Sequence, residues 1–219
     1  MAFRRVFLHG AGRRGADAWP HADPAGGDFV TFAEGSSVAG QAESLVRHFS
    51  GDPALVFAHS IGAVPAVLAA RRLRVAGLVL VEPALYDIAR GHEAIERHIA
   101  IVTEARTLSE SGDLRGFWAI LRPLMFGGPY DAAAWEKEQR VAERWARTNL
   151  PWGHGVRPEM LAGIRTLVVT GGWNEEYETI AKALVSGGAE HVIADGAGHR
   201  AQDAEGFAPA VHEFESTLT

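Results

Sequence analysis

Six short runs of valine, leucine, isoleucine and phenylalanine recur along the chain, and segments with helical spacing of apolar residues follow most of them. Continuous apolar runs of this length are typical of strands that are buried on both faces of a parallel sheet. The predicted strands are Val6–His9, Phe29–Phe32, Ala54–Phe57, Gly77–Val81, Thr166–Thr170 and His191–Ala194. The predicted helices between and after them are Val38–His48, Ile61–Arg72, Glu176–Ser186 and Asp203–Leu218. This alternation favours an α/β fold with a mostly parallel sheet of about six strands and helices on both faces.

The alternation is interrupted between residues 85 and 158, where apolar residues recur only at helical spacing. Four of the six tryptophans lie in this insertion. Because ligands of open α/β sheets bind at the carboxyl ends of the strands, we interpret the insertion as a helical cap, or lid, over that edge. An ordinary helical excursion packed on the side of the sheet is the alternative. The predicted organisation is a core of residues 1–84 and 159–219 and a cap of residues 85–158.

The third predicted strand runs directly into Ser60, and a predicted helix follows it. A serine at such a strand-to-helix turn has its hydroxyl exposed, and the residues two before and two after it have to be small. Ala58 and Gly62 meet that requirement, so Ser60 is the candidate nucleophile. Ser36 and Ser37 also stand between a strand-like run and a helix, but the N-cap of that helix explains them better.

Two further motifs follow predicted strands. The loop His9-Gly-Ala-Gly12 contains glycines that allow backbone amides to turn toward one point, as an oxyanion-binding loop requires. The amide of Ile61 opens the helix after the serine, where N–H groups and the helix dipole favour negative charge. We therefore predict an oxyanion hole formed by the amides of Ala11 and Ile61. Near the other end, the small residues of Gly196-Ala-Gly-His199 allow the imidazole of His199 to return over the sheet as general base.

These motifs, together with Val81-Glu-Pro83, resemble those of the α/β-hydrolase superfamily in their order and separation, over nearly the whole chain. The usual first two strands of that fold have no counterpart, so a compact member is expected. The resemblance implies that Ser60 attacks a carbonyl carbon, that His199 takes and returns its proton, and that a carboxylate orients His199.

The identity of that carboxylate is open at the level of the sequence. The commonest family pattern places an aspartate shortly after the strand Thr166–Thr170, where this chain has Asn174 followed by Glu175 and Glu176. An amide carries no charge and would not stabilise an imidazolium. Glu82, at the tip of the strand after the nucleophile helix, is the favoured candidate, and its place between Ser60 and His199 in the chain respects the family order.

The amino-acid composition and net charge limit the classes of partner molecule that we expect for this protein. The 219 residues carry a net charge of −6, which argues against nucleic acid or an anionic membrane as the main partner. The chain contains no cysteine, so disulfides, thiolate metal sites and cysteine nucleophiles are excluded. The N-terminal segment is interpreted as a first strand rather than a secretion signal. We expect a cytoplasmic protein that acts on a small molecule, with no metal and no organic cofactor, while the oligomeric state is open.

The predicted activity is that of a carboxylesterase-like serine hydrolase that cleaves a small or medium apolar ester or acyl compound through an acyl-enzyme. A carbon–carbon bond hydrolase of a keto-acid is an alternative, because the loop from His9 to Trp19 loosely resembles the glycine-rich loop of such enzymes and Arg13 or Arg14 could hold a substrate carboxylate. Acyl transfer is a further alternative. A non-catalytic ligand-binding homologue is also considered, because the common aspartate is missing.

Overall fold

The structure is a computed structural model that describes residues 3–49 and 51–218. Its six strands form one sheet in the order β2-β1-β3-β4-β5-β6, and every neighbouring pair is parallel. The strands are β1 (Arg4–Leu8), β2 (Asp28–Val30), β3 (Ala54–His59), β4 (Val75–Val81), β5 (Thr166–Thr170) and β6 (Glu190–Ile193). The predicted fold class, a six-stranded parallel sheet with helices, is confirmed. Because all strands run in one direction, the segments that follow them lie along a single edge of the sheet.

Seven α-helices accompany the sheet in the described part of the chain. They are α1 (Val38–Phe49), α2 (Ala63–Ala70), α3 (Glu93–Glu110), α4 (Leu114–Phe126), α5 (Trp135–Ala146), α6 (Glu175–Ser186) and α7 (Phe207–Ser216). Ser37 precedes α1, and its hydroxyl accepts the Gly40 N–H at 3.1 Å, which agrees with the predicted N-cap role. None of the helices within residues 3–49 and 51–218 has the length and apolar character needed to cross a membrane.

Two predicted helix starts are wrong, and a proline explains each. A helix from Ile61 would need a hydrogen bond from the N–H of residue 65, and Pro65 has none. Instead, Ser60–Gly62 form a 3₁₀ turn and α2 begins at Ala63, which places the proline in its first turn. In the same way α7 begins at Phe207 and not at Asp203, so that Pro209 lies in its first turn.

The described residues of 1–90 and 150–219 form one compact unit, which contains the whole sheet. Its aromatic core includes Phe7 between Phe29 and Phe57, with ring centroids 4.7 and 4.6 Å apart. Ala201 belongs to the same cluster and is fully buried. The 3₁₀ turn Gly198–Asp203, which contains Ala201, is therefore anchored in the core of this unit.

Residues 91–149 form a second compact unit, made of α3, α4 and α5. Within it the indole N–H of Trp118 donates to Glu138 Oε2 at 2.6 Å, and the Arg106 guanidinium donates to the carbonyl oxygens of Ala146 and Thr148. This unit occupies most of the predicted insertion, whereas residues 85–90 and 150–158 group with the sheet unit. Its function as a cap stays a prediction.

Candidate active site

Ser60 occupies a strained turn at the end of β3. Its φ is 54°, in the left-handed region that residues with a side chain rarely adopt. The turn is tight enough that a Cβ added to Gly62 would lie 2.6 Å from the carbonyl oxygen of His9. The small residue required two positions after the serine is therefore explained by direct contact with the loop after β1. Ser60 itself is 8% exposed.

Glu82 stands at the end of the neighbouring strand β4, and it is also strained. Its φ is 44°, and its side chain is fully buried. Within residues 3–49 and 51–218, Ser60 and Glu82 are the two residues other than glycine that have a positive φ. Such conformations cost about 1–3 kcal/mol each and persist where the surroundings enforce them, most often at functional sites. The Ala84 N–H donates to the Ser60 carbonyl at 3.1 Å, which joins the two turns.

The buried carboxylate of Glu82 accepts hydrogen bonds from the loop after β5. The Gly171 N–H donates to Oε1 at 2.5 Å, and the indole N–H of Trp173 donates to Oε2 at 3.1 Å. A buried carboxylate needs such partners, because the desolvation of an unpaired buried charge costs roughly several kcal/mol. These two donors fix the carboxylate in one orientation.

His199 connects the two strained residues. Its Nε2 lies 3.1 Å from Ser60 Oγ, and its Nδ1 lies 3.4 Å from Glu82 Oε2. With Nδ1 protonated and donating to the carboxylate, Nε2 is the unprotonated nitrogen and accepts the serine hydroxyl. The structure thus brings together the three side chains named from the sequence, although they are 22 and 117 positions apart in the chain.

The turn that carries His199 is held from two sides. The His59 ring donates from Nε2 to the backbone carbonyl of His199 at 2.8 Å. On the other side, the Arg200 and Gln202 side chains both donate to the carbonyl of Ala18, at 3.1 and 3.3 Å. Burial, and after it the nearby His199, lowers the pKa of His59 well below 6.5, so this ring stays neutral and acts as a donor.

The alternative acid region has other contacts. Asn174 is the N-cap of α6, and its Oδ1 accepts the backbone N–H groups of Glu176 and Tyr177 at 2.7 and 3.4 Å. The Glu176 carboxylate accepts the hydroxyl of Tyr86 at 3.0 Å. Of the candidates from the sequence, Glu82 has the contact with His199 that the structure shows, at 3.4 Å between Oε2 and Nδ1.

The sequence reasoning missed three aromatic residues of this site. The Tyr177 ring lies 5.0 Å from the His199 ring, and the Trp173 ring lies 6.1 Å from it. Tyr177 is 7% exposed, and burial, followed by the charges of Glu82 and Glu176, raises its pKa, so its hydroxyl stays protonated. Tyr86 is the third residue, and burial raises its pKa as well. A signal was present: Trp173 and Tyr177 flank the asparagine that stands in the expected acid position.

The glycine loop after β1 lies directly beside the serine. A Cβ added to Gly10 would lie 2.9 Å from His59 Nδ1 and 3.0 Å from Ser60 Cβ, so only glycine allows this approach. Nδ1 of His9 lies 2.6 Å from the Gly10 carbonyl, and burial lowers the pKa of His9. The loop therefore brings Gly10, the residue before Ala11, against the nucleophile, and Ile61 lies in the 3₁₀ turn that begins at the serine. Arg13 and Arg14 in the same loop are exposed.

No group of histidine, aspartate and glutamate suited to hold a metal ion occurs in the part of the chain that the structure describes. The side chains that the structure brings together offer the chemistry of a serine hydroxyl, an imidazole and a buried carboxylate. An activated serine with a histidine base and an orienting acid is the arrangement of acyl-transfer catalysts.

Similar solved structures include several α/β hydrolases. An α/β hydrolase from Sphaerobacter thermophilus DSM 20745 is 23% identical, with a TM-score of 0.61 over 97% of this chain and 92% of that chain. A carboxylesterase structure from the ammonia-oxidizing Thaumarchaeon Nitrososphaera gargenis is 12% identical, with a TM-score of 0.64 and coverage of 99% and 91%. MenH from S. aureus is 15% identical, with a TM-score of 0.62 and coverage of 98% and 93%.

No protein-family model and no curated protein matches the chain. These three solved structures are each less than 25% identical to it, and such likenesses establish the fold. The resemblance drawn from the glycine loop, the serine turn, Val81-Glu-Pro83 and the final histidine motif is thus confirmed at the level of the fold: this chain has the α/β-hydrolase fold.

Proposed function

We propose that the protein is a serine hydrolase that cleaves a small or medium apolar carboxylic ester, or a related acyl compound, through an acyl-enzyme on Ser60. The observation that carries the proposal is the continuous line from Glu82 Oε2 through the His199 ring to Ser60 Oγ, with separations of 3.4 and 3.1 Å. Both ends of this line stand in strained backbone. A structural ion pair would not require strain at a serine as well.

In the first half of the reaction, His199 Nε2 takes the proton of Ser60 while Oγ attacks the carbonyl carbon of the ester. The carbonyl oxygen becomes an oxyanion, and the amides of Ala11 and Ile61 are proposed to donate to it, each contributing about 10²–10³ in rate. Glu82 holds His199 in the correct tautomer and stabilises the imidazolium. The imidazolium then gives its proton to the departing alcohol, which leaves Ser60 acylated.

In the second half, His199 takes a proton from a water molecule that attacks the acyl carbon. The bond between the acyl carbon and Ser60 Oγ breaks, its electron pair goes to Oγ, and Oγ receives the proton from His199. The carboxylic acid is released and the free serine is restored. No step requires a metal ion or an organic cofactor.

The ester class rests on chemistry and on analogy. The side chains of Ser60, His199 and Glu82 are chemically sufficient for the hydrolysis of an ester, and the similar structures include carboxylesterases. MenH has the same fold at similar coverage, so the fold by itself does not select esters. Arg13 and Arg14, the residues that would hold an acidic substrate, are exposed to solvent, and we therefore place carbon–carbon cleavage of a keto-acid second.

The test combines a covalent probe with a substrate panel. A fluorophosphonate should label the folded protein at Ser60, and Ser60→Ala should abolish the labelling. With p-nitrophenyl esters of increasing acyl length, Ser60→Ala should lower kcat by at least about 10⁴-fold, the scale known for triad residues. Ser37→Ala is the matched control, because Ser37 caps α1 and its loss affects only stability.

Each alternative has its own result. Absence of labelling in the folded protein would sink the hydrolase proposal and favour a non-catalytic binding protein. Labelling with turnover of keto-acids and none of esters would move the activity to carbon–carbon cleavage. Partition of the acyl group to an added alcohol or thiol in preference to water would identify an acyltransferase.

A further inference from the structure

Trp173 is a large side chain that lies half exposed, directly beside the buried acid of the site. Its exposed fraction is 50%, whereas Glu82 is 0% exposed. The indole N–H donates to Glu82 Oε2 at 3.1 Å, and the indole ring lies 6.1 Å from the His199 ring. The indole therefore lies between the carboxylate and solvent, with its one polar atom turned to the carboxylate.

The loop that carries the indole fits closely against its surroundings. A Cβ added to Gly171 would collide with the backbone carbonyl of Gly198, the residue before His199. Gly172 has a φ of 68°, in the left-handed region, and a Cβ there would lie 2.9 Å from the Ile193 side chain. Contacts with both neighbouring segments thus set the path of this loop, and the indole is positioned before any reaction starts.

The two carboxylate oxygens of Glu82 have different partners. Oε1 accepts the Gly171 N–H at 2.5 Å, while Oε2 accepts the indole N–H and faces His199 Nδ1 at 3.4 Å. The terminal torsion of a glutamate is broad, so a donor on one oxygen alone leaves the carboxylate free to turn. A donor on each oxygen fixes its plane, and the indole is the donor on the oxygen that the imidazole uses.

An indole N–H is suited to this position because it donates and does not accept. The Nδ1 proton of His199 therefore cannot be drawn to the indole nitrogen, and the carboxylate oxygen is left as its acceptor. A water molecule in the same place has lone pairs and would compete with the carboxylate for that proton. The half-exposed ring occupies the solvent side of Glu82, from which such a water would come.

We propose that Trp173 is a positioning residue that acts on the reaction through Glu82: its indole N–H keeps Oε2 directed at His199 Nδ1. This inference rests on the proposed function, since it requires His199 to act as the base for Ser60. The carboxylate stabilises the imidazolium only while its oxygen stays in line with the Nδ1–H. Trp173 keeps its own proton throughout, and it orients the acid in both halves of the reaction.

The test compares Trp173→Phe with Trp173→Gln. Phenylalanine keeps an aromatic ring and removes the N–H, whereas glutamine removes the ring and keeps an N–H donor as many bonds from Cβ as the indole nitrogen. With p-nitrophenyl acetate, Trp173→Phe should lower kcat by about ten-fold or more, the scale of a lost hydrogen bond to a charged group, and change KM by less than about three-fold. Trp173→Gln should keep at least about three times the kcat of Trp173→Phe.

A double-mutant cycle with Glu82→Gln shows whether the effect passes through the acid. The readout is the rate of fluorophosphonate labelling of Ser60, which can be followed in slow variants. With Glu82 in place, Trp173→Phe should slow labelling by about ten-fold. In the Glu82→Gln background the same substitution should change the rate by less than about two-fold, because the carboxylate that the indole orients is gone.

Ile193→Ala is the matched control for a loosened loop. It removes an exposed side chain that lies beside Gly172 in the same loop, and it leaves the indole N–H in place. Its kcat should stay within about two-fold of that of the unmodified protein. The melting temperature of each variant is measured to establish that it folds.

A higher kcat in Trp173→Phe than in Trp173→Gln would overturn the inference, since the ring and not the donor would then matter. Equal slowing in both backgrounds of the cycle, or as large a loss in Ile193→Ala as in Trp173→Phe, is the signature of a merely structural tryptophan and would overturn it too. So would unchanged kinetics in Trp173→Phe. These outcomes differ from failure of the proposed function, in which the unmodified protein itself forms no fluorophosphonate adduct on Ser60.

Discussion

Replacing Glu82 by glutamine probes the acid with almost no change of volume. The carboxylate has three hydrogen-bond donors around it: the Gly171 N–H at 2.5 Å, the Trp173 indole N–H at 3.1 Å and His199 Nδ1 at 3.4 Å. A glutamine has a single acceptor oxygen. If that oxygen pairs with the Gly171 amide, the glutamine NH₂ faces the indole N–H and the imidazole, where an acceptor is needed.

The imidazole relieves this conflict by changing tautomer. Nδ1 then accepts from the glutamine, and the hydrogen moves to Nε2, which faces Ser60 Oγ at 3.1 Å. In that tautomer His199 cannot take the serine proton. The same change in a triad acid costs about 10⁴ in kcat, which corresponds to roughly 5.4 kcal/mol of transition-state stabilisation. We expect a loss of that size in Glu82→Gln, with the fold retained.

The assay is steady-state hydrolysis of p-nitrophenyl acetate at matched protein concentration, with the melting temperature as the measure of folding. Asn174→Ala is the matched control at the competing acid position, where loss of the N-cap costs about 1 kcal/mol of stability. The reasoning is refuted if Glu82→Gln loses less than about ten-fold in kcat, or if Asn174→Ala loses as much as Glu82→Gln.

Two further predictions concern the loops around the nucleophile. In Gly62→Ala the new methyl would lie 2.6 Å from the His9 carbonyl oxygen, so the free energy of unfolding, measured by chemical denaturation, should fall by about 2–3 kcal/mol. The control is Gly12→Ala, which has open space around the added methyl and should change the free energy of unfolding by less than about 0.5 kcal/mol. Equal effects of the two substitutions would disprove the close contact. The pKa of His59 in the folded protein lies well below 6.5, so the unfolded chain takes up a proton on this residue first as the pH is lowered. The free energy of unfolding should therefore fall below pH 6.5, by up to about 1.4 kcal/mol per pH unit. His59→Gln should remove this pH dependence from denaturation curves measured down to about pH 5, and an unchanged slope would contradict the prediction.

The sequence was sufficient to predict those features that depend on residues close together in the chain. The apolar run before Ser60 and the small residues around it specify a strand and a tight turn, whatever the rest of the chain does. The same holds for the glycine-rich motif before His199. Parallel strand order then brings the ends of distant segments to one edge, so the meeting of these two residues followed from the fold class.

The sequence favoured Glu82 as the acid but left the region of Asn174 as an alternative, because the choice depends on reach across neighbouring strands. Both Glu82 and the segment after β5 lie at the same edge, and only side-chain geometry separates an acid from a helix cap. Tyr177 was missed for a related reason. Its ring position depends on how α6 is rotated about its axis, which is a property of the folded chain. The starts of α2 and α7 were misplaced because the apolar pattern was weighed and the prolines were not.

The pairing of β3 with β4 has a mechanical consequence for this site. His59 is aligned with Val81 in that pairing, and the residues that directly follow these strand ends are Ser60 and Glu82, respectively. Ser60 and Glu82 therefore follow two directly hydrogen-bonded strands, and the distance between them changes only if the pairing of these strands is disrupted. The imidazole lies on a separate 3₁₀ turn outside the sheet, which the buried Ala201 anchors and which side-chain hydrogen bonds from His59, Arg200 and Gln202 hold in place. Because no strand pairing supports this turn, we expect heat or denaturant to displace His199 before the spacing of Ser60 and Glu82 changes.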